Sequence, residues 1–147
     1  LSETISSQGI ILALSSGSTV TAILIANDLR DYKEDLSAKK ITPITILGKI
    51  FGKYCYSVTI ISPYIILIIG IILLGLSKMT LVIMLTLPMA ITNIRNMWKI
   101  TKHQEYFKML KRSAIFHTLF GIFILSSLPT IRSIFLFLES SFDFNCA

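Results

Sequence analysis

Long apolar runs alternate along the chain with short polar, mostly basic stretches. About 20 mostly apolar residues of helix cross the hydrocarbon core of a bilayer, and four stretches reach that length. Residues 8–27 are apolar but dotted with Ser, Thr and Gly, and residues 55–77 contain no charge. Residues 79–98 carry Pro88 in the middle and Arg95 near the end, and residues 113–138 are interrupted by Pro129 and Arg132. These runs are too long for buried strands and do not alternate. A segment in lipid must also hydrogen-bond its own backbone, which a helix does. The pattern therefore predicts an all-α fold, a polytopic transmembrane helical bundle with four spans, itself part of a larger bundle. Residues 1–147 read as a single membrane unit, with loops at about 28–54 and 99–112 and no internal repeat. Pro63, Pro88 and Pro129 are expected to kink helices, which bundles tolerate.

Composition narrows the class. Apolar residues make up 53% of the chain and charged residues only 15%, a balance that fits neither a soluble enzyme nor a disordered segment. The net charge is +6, from 14 Lys+Arg against 8 Asp+Glu. In so apolar a chain this excess points to cytoplasmic loops and not to nucleic acid. Arg30, Lys33, Lys39, Lys40, Lys49 and Lys53 lie between the first two spans. Lys99, Lys102, Lys108, Lys111 and Arg112 lie between the last two, and only Lys78 separates the middle pair. The positive-inside rule then puts both long loops in the cytoplasm and both chain ends outside, with a bacterial plasma membrane as the expected location. Tyr54, Tyr56, Trp98 and Tyr106 fall at the cytoplasmic boundary, as an aromatic belt does. Cys55 and Cys146 fall on opposite faces, about 30 Å apart across the hydrocarbon, too far to pair. No basic-then-apolar signal segment precedes the first span, and the sequence is expected to be part of a longer one.

The candidate chemistry lies at Asn27-Asp28-Leu29-Arg30-Asp31-Tyr32-Lys33-Glu34-Asp35. On a helix Asp28, Asp31 and Asp35 share one face, and Gly17, Thr21 and Leu24 continue that face into the bilayer. Carboxylates three and four residues apart sit about 5–6 Å from each other and repel by roughly 3 kcal/mol per pair at an effective dielectric near 20. A divalent cation, nearby Lys and Arg, or protonation would offset that repulsion. Hard oxygen ligands without a His/Cys cluster favour Mg²⁺, which commonly joins one or two carboxylates to a substrate phosphate. A solvated juxtamembrane helix, with Asp31 and Asp35 neutralised by Arg30, Lys33 and Lys39, accounts for the same charges.

Asn27-Asp28-Leu29-Arg30-Asp31-x-x-x-Asp35, followed by Ala38-Lys39-Lys40-Ile41-Thr42-Pro43-Ile44 and Leu47-Gly48, resembles the second aspartate-rich motif of UbiA-type intramembrane prenyltransferases. Its start is closest to the branch that prenylates 1,4-dihydroxy-2-naphthoate in menaquinone biosynthesis. Leu110-Lys111-Arg112-Ser113-Ala114-x-x-His117-x-Leu119-Phe120-Gly121 is similar to the start of the family's last helix. The resemblance covers nearly the whole chain but only the C-terminal half of the family's protein. The family's other motif, Asn-Asp-x-x-Asp-x-x-x-Asp, has no counterpart here, which implies a chain inactive by itself. Lys39 replaces a glycine usual before the motif's lysine, and Ile46 replaces a basic residue usual before Leu-Gly.

The resemblance implies transfer of a polyprenyl group from a polyprenyl diphosphate to an aromatic acid acceptor, dihydroxynaphthoate-like or another such as 4-hydroxybenzoate. It implies that Asp31 and Asp35 bind Mg²⁺, that Asp28 and Asn27 support the metal or the acceptor, and that Lys40 and Arg30 reach diphosphate oxygens. Gly17, Thr21 and Leu24 would line the prenyl groove. Arg95, with Asn93 and Asn96 beside it, is a candidate on a substrate path, or a snorkelling side chain. His117 would orient the acceptor or bond a neighbouring helix. Ser15, Ser16, Gly17 and Ser18 read as close-packing residues. The competing class is a small transporter or channel subunit that binds a cation with its acids. Such a protein places ionisable groups near the bilayer midplane, whereas these three Asp residues lie at its edge.

Overall fold

A computed structural model describes residues 7–128. Pro129, Arg132, Cys146 and the far part of the stretch 113–138 lie outside the described residues. The elements run α1 (Ser7–Arg30), α2 (Tyr32–Ser37), α3 (Pro43–Leu74), a 3₁₀ segment (Lys78–Thr86), α4 (Leu87–Lys99) and α5 (His103–Ser127). No strand occurs among the described residues. Helices α1, α3 and α5 are long and apolar enough to cross a membrane, and the chain is an all-α membrane bundle.

The stretch 79–98 takes a different form from one α-helix. Lys78–Thr86 wind as 3₁₀, and their buried members are Thr80, Ile83 and Thr86. That spacing of three matches the three residues per turn of a 3₁₀ helix, so one row of side chains faces the core. Pro88 sits in the first turn of α4, where a missing N–H costs nothing. The segment still carries the chain from one end of the bundle to the other. Ser77 and Thr80 line a cavity with Gln8 and Ser127 at one end of the bundle. At the other end the Lys53 ammonium donates to the carbonyls of Trp98 (3.4 Å) and Ile100 (3.1 Å). At about 2.0 Å per 3₁₀ residue and 1.5 Å per α residue, the pair is long enough for the hydrocarbon core.

Helices also extend into both stretches expected to be loops, leaving only Asp31 and residues 38–42 and 100–102 to connect them. Thr42 starts α3 well before the apolar run. Its hydroxyl accepts from the Thr45 N–H (3.0 Å), the Thr45 hydroxyl accepts from the Thr42 N–H (2.8 Å), and Pro43 occupies the first turn. This is a reciprocal cap followed by a proline with a pre-set φ. Gly48, at φ 88°, then interrupts the helical backbone, a conformation that glycine adopts without penalty. At α5 the Glu105 carboxylate accepts from the N–H groups of Thr101 (3.0 Å) and Lys102 (3.2 Å). Hydropathy marks where lipid ends; these caps mark where helix ends.

Helix α1 packs against α3 and α5 through Ser15, Thr19, Ala22, Ala26 and Leu29. Small residues of this kind let helix backbones approach in a membrane. A Cβ built on Gly70 of α3 would stand 2.8 Å from Ile11 Cγ2. Polar pairs join the helices internally: Tyr56 to Ser113 (2.8 Å), Tyr64 to Thr86 (2.6 Å) and Thr19 to His117 Nδ1 (2.7 Å). The aromatic belt is narrower than expected. Tyr54 and Trp98 are exposed and meet edge to face at 4.8 Å, but Tyr56 and Tyr106 are buried in the core.

Candidate functional site

The acidic end of α1 is built by a bend and a reversal. Asp31 separates α1 from α2, yet the Asp31 N–H still bonds the Asn27 carbonyl (2.9 Å) and the Asp35 N–H the Asp31 carbonyl (2.8 Å). The helical spacing therefore continues through the bend and keeps Asp28, Asp31 and Asp35 on one side. After Ser37 the chain turns back through two bonds, Lys39 N–H to the Leu36 carbonyl (3.1 Å) and Lys40 N–H to the Asp35 carbonyl (2.9 Å). With Lys39 at φ 54°, this is a Schellman termination, in which the left-handed residue is usually glycine.

The turn delivers Lys40 to the acids. Its ammonium donates to Asp35 Oδ2 at 2.9 Å, and Asp35 is 8% exposed. Arg30 grips Asp31 with both arms of its fork, Nε to Oδ1 at 2.6 Å and Nη2 to Oδ2 at 2.7 Å, the strong bidentate geometry. Asn27 adds a longer bond from Nδ2 to Asp31 Oδ2 at 3.3 Å. The Arg30 guanidinium holds the Asp31 carboxyl below the usual carboxylate range, with smaller pulls from the charges of Lys40 and His103. The carboxylate of Asp35, in turn, raises the Lys40 ammonium above its ordinary value. The cations that neutralise the two acids are thus Arg30 and Lys40, not Lys33 and Lys39.

Aromatic rings lie against Arg30 and the neighbouring Lys49. The Arg30 guanidinium lies 5.2 Å from the centroid of Phe107, and the Lys49 ammonium lies 5.0 Å from Tyr32 and 5.7 Å from Tyr106, within cation–π range. Sequence reasoning missed Tyr32, Lys49, His103, Tyr106 and Phe107. The signal available for two of them was the i, i+4 spacing of His103 and Phe107, which stack edge to face.

Along the same side of α1 runs an open groove of about 510 Å³, lined by Ile10, Ala13, Leu14, Gly17, Ser18 and Thr21, with Thr59 from α3. Gly17 and Thr21 are on its wall, as expected. Leu24 is 61% exposed and is not part of the lining. The hydroxyls of the groove are all bonded within their own helices: Ser18 to the Leu14 carbonyl (3.0 Å), Thr21 to Gly17 (2.9 Å) and Thr59 to Cys55 (3.0 Å). Such back-bonding leaves a surface of methyl and methylene groups facing the groove.

Among the described residues, no three His, Cys, Asp or Glu side chains gather as a metal-holding group. The acids offer hard oxygen donors, and Arg30 already covers both oxygens of Asp31. Of the remaining candidates, Arg95 is exposed, and Asn93 is buried with its amide nitrogen unpartnered among the described residues. Asn96 lines a cleft between α4 and α5. His117 is bonded to Thr19 across the α1–α5 contact. Compared with models of protein families, with curated proteins and with solved structures, the chain matches none.

Proposed function

We propose that this chain is one half of a Mg²⁺-dependent intramembrane prenyltransferase, contributing an acidic motif and one wall of the isoprenoid groove. A single observation carries the reading. One side of α1 bears a groove that ends at Thr21 and whose hydroxyls are internally satisfied, and Asp28 lies on the same helix face about two turns further on. An amphiphile with an apolar tail and a diphosphate head fits that order of surfaces. The turn at Lys39 adds support, because its left-handed backbone falls where the resembled motif has glycine. The acceptor is taken to be an aromatic acid of the dihydroxynaphthoate type, and the acidic end to face the cytoplasm.

Asp31 and Asp35 are the residues that would hold Mg²⁺, with Asp28 behind them. That donor set fits an ion that commonly takes one or two carboxylates and completes its shell with phosphate oxygens and water. Bound there, Mg²⁺ supplies neutralisation of the diphosphate as a leaving group. Arg30 and Lys40 act by exchanging partners. Without substrate they neutralise Asp31 and Asp35; with diphosphate present they turn to its oxygens as charge-assisted donors and release the carboxylates. Phe107 keeps the Arg30 guanidinium over its ring during the exchange. A transporter would instead hold its ionisable groups near the midplane, whereas these acids end a span.

The test uses membranes carrying the full-length protein. Asp31→Asn and Asp35→Asn are each expected to reduce Mg²⁺-dependent prenyl transfer by about 10²-fold or more, the scale for losing one pre-organised electrostatic group. Turnover at the parent rate in either variant, with equal protein in the membrane, would sink the assignment.

A further inference from the structure

A second charged site lies on the other side of α5. Residues 103 and 107 face the acidic end of α1, where Phe107 meets Arg30. Residues 105, 108 and 112 are rotated to the opposite side of the helix. There, against the end of α4, is a cleft of about 230 Å³. We propose that this cleft binds the phosphate of an anionic lipid headgroup through Lys99, Lys108 and Arg112.

Three observations support the site. First, its cations outnumber its one carboxylate and form no close ion pair: the ion pairs among the described residues are Arg30–Asp31 and Lys40–Asp35. Glu105, which also lines the cleft, spends its carboxylate on the N–H groups of Thr101 and Lys102. The carbonyls of Trp98 and Ile100 accept from Lys53. Three cations and one carboxylate leave the cleft with an excess of two positive charges and no ion-pair partner for them among the described residues. Second, Asn96 brings an amide to the wall, while the buried side chains of Ile100 and Met109 complete the lining. A polar donor and a cationic rim over an apolar base suit a headgroup phosphate with its glycerol and first methylenes. Third, Lys99 on its wall directly follows Trp98, which forms an exposed aromatic pair with Tyr54, the kind of residue that aromatic belts set at the headgroup level. Basic pockets between membrane helices are known to take such headgroups. At about 30 Å³ per water in the liquid, the volume holds a phosphate and several waters. The proposal is independent of prenyl transfer.

Native mass spectrometry of the full chain tests it, with phosphatidylglycerol, phosphatidylcholine and inorganic phosphate offered separately. One phosphatidylglycerol is expected to be retained in preference to phosphatidylcholine. Each cation near an anionic surface is worth about fivefold in binding, so Lys108→Gln with Arg112→Gln is expected to weaken retention about tenfold or more. Both side chains are exposed, so the variant is expected to fold. Lys33→Gln with Lys39→Gln removes the same charge at the same end and is expected to leave retention unchanged. Inorganic phosphate held with the same dependence on Lys108 and Arg112 would support the site and make its ligand a soluble anion. Equal retention of the two lipids would overturn the proposal, as would equal losses in the two double variants.

Discussion

Lys39 is the one non-glycine residue with positive φ among those described, and the reason for its strain is visible. The α2 helix has to stop after Ser37 so that Lys40 can reach Asp35, and the Schellman turn does this with a left-handed residue. An L side chain pays roughly 1–2 kcal/mol for that conformation. Lys39→Gly is therefore expected to stabilise the protein by about 1 kcal/mol, less than the full relief because glycine also loosens the unfolded chain. Denaturant unfolding of the detergent-solubilised protein measures this, with Lys39→Ala as a control that keeps the Cβ and gains little. A loss of stability in the glycine variant would mean that the Lys39 side chain itself holds the turn. The spacing of the three acids was readable in the sequence, because it follows from helix geometry alone. Their choice of cation was not. Lys33 and Lys39 are as near in sequence as Lys40, and only the turn decides which ammonium arrives.

At the scale of elements, α1 and α3 meet at two glycines that are not equivalent. A Cβ on Gly52 would come 2.8 Å from Leu29 Cδ2, 3.1 Å from Ile44 Cδ1 and 3.2 Å from Leu29 Cγ, mostly the far ends of side chains without β-branching at the contact. On Gly70 it would come 2.8 Å from Ile11 Cγ2, with Ile11 Cβ behind it at 3.7 Å. That methyl belongs to a β-branched residue with a stiff χ1. Alanine gains up to about 1 kcal/mol over glycine inside a helix, while overpacking costs about 1–3 kcal/mol. Gly52→Ala is thus expected to destabilise less than Gly70→Ala, which is expected to cost about 1–2 kcal/mol, relieved when Ile11→Leu removes the branch. Equal effects at the two positions in a thermal unfolding series would contradict this packing. The existence of these helices was legible, since long apolar runs admit little else in lipid. Their starts were not, because the Thr42–Thr45 cap and Glu105 begin helices in polar sequence. The 3₁₀ segment did leave a trace, the spacing of Thr80, Ile83 and Thr86, which a hydropathy window averages away.

For the whole molecule, the decisive feature is how charge is shared between the two ends of the bundle. The chain runs from end to end of the bundle along α1, α3, the 3₁₀ segment with α4, and α5, of which α1, α3 and α5 are long and apolar enough to span a membrane. The turns 38–42 and 100–102 therefore lie at one end and residues 75–77 at the other. Lys33, Lys39, Lys40, Lys99 and Lys102 lie at the first end, against Lys78 alone beside the opposite turn. Lys and Arg near span ends orient a membrane protein toward the cytoplasm, and the imbalance leaves one orientation strongly favoured. With Cys55 and Cys146 replaced by serine, single cysteines at exposed positions report it. Ser77→Cys is expected to react with a membrane-impermeant maleimide in intact cells. Lys33→Cys and Thr101→Cys are expected to react only after permeabilisation. Reversed labelling would invert the orientation and place both the acidic motif and the basic cleft outside. Labelling of positions 33 and 101 from opposite sides would be more serious. It would mean that the 3₁₀ segment with α4 does not complete a crossing, and the shared end that brings Arg30 to Phe107 would not exist.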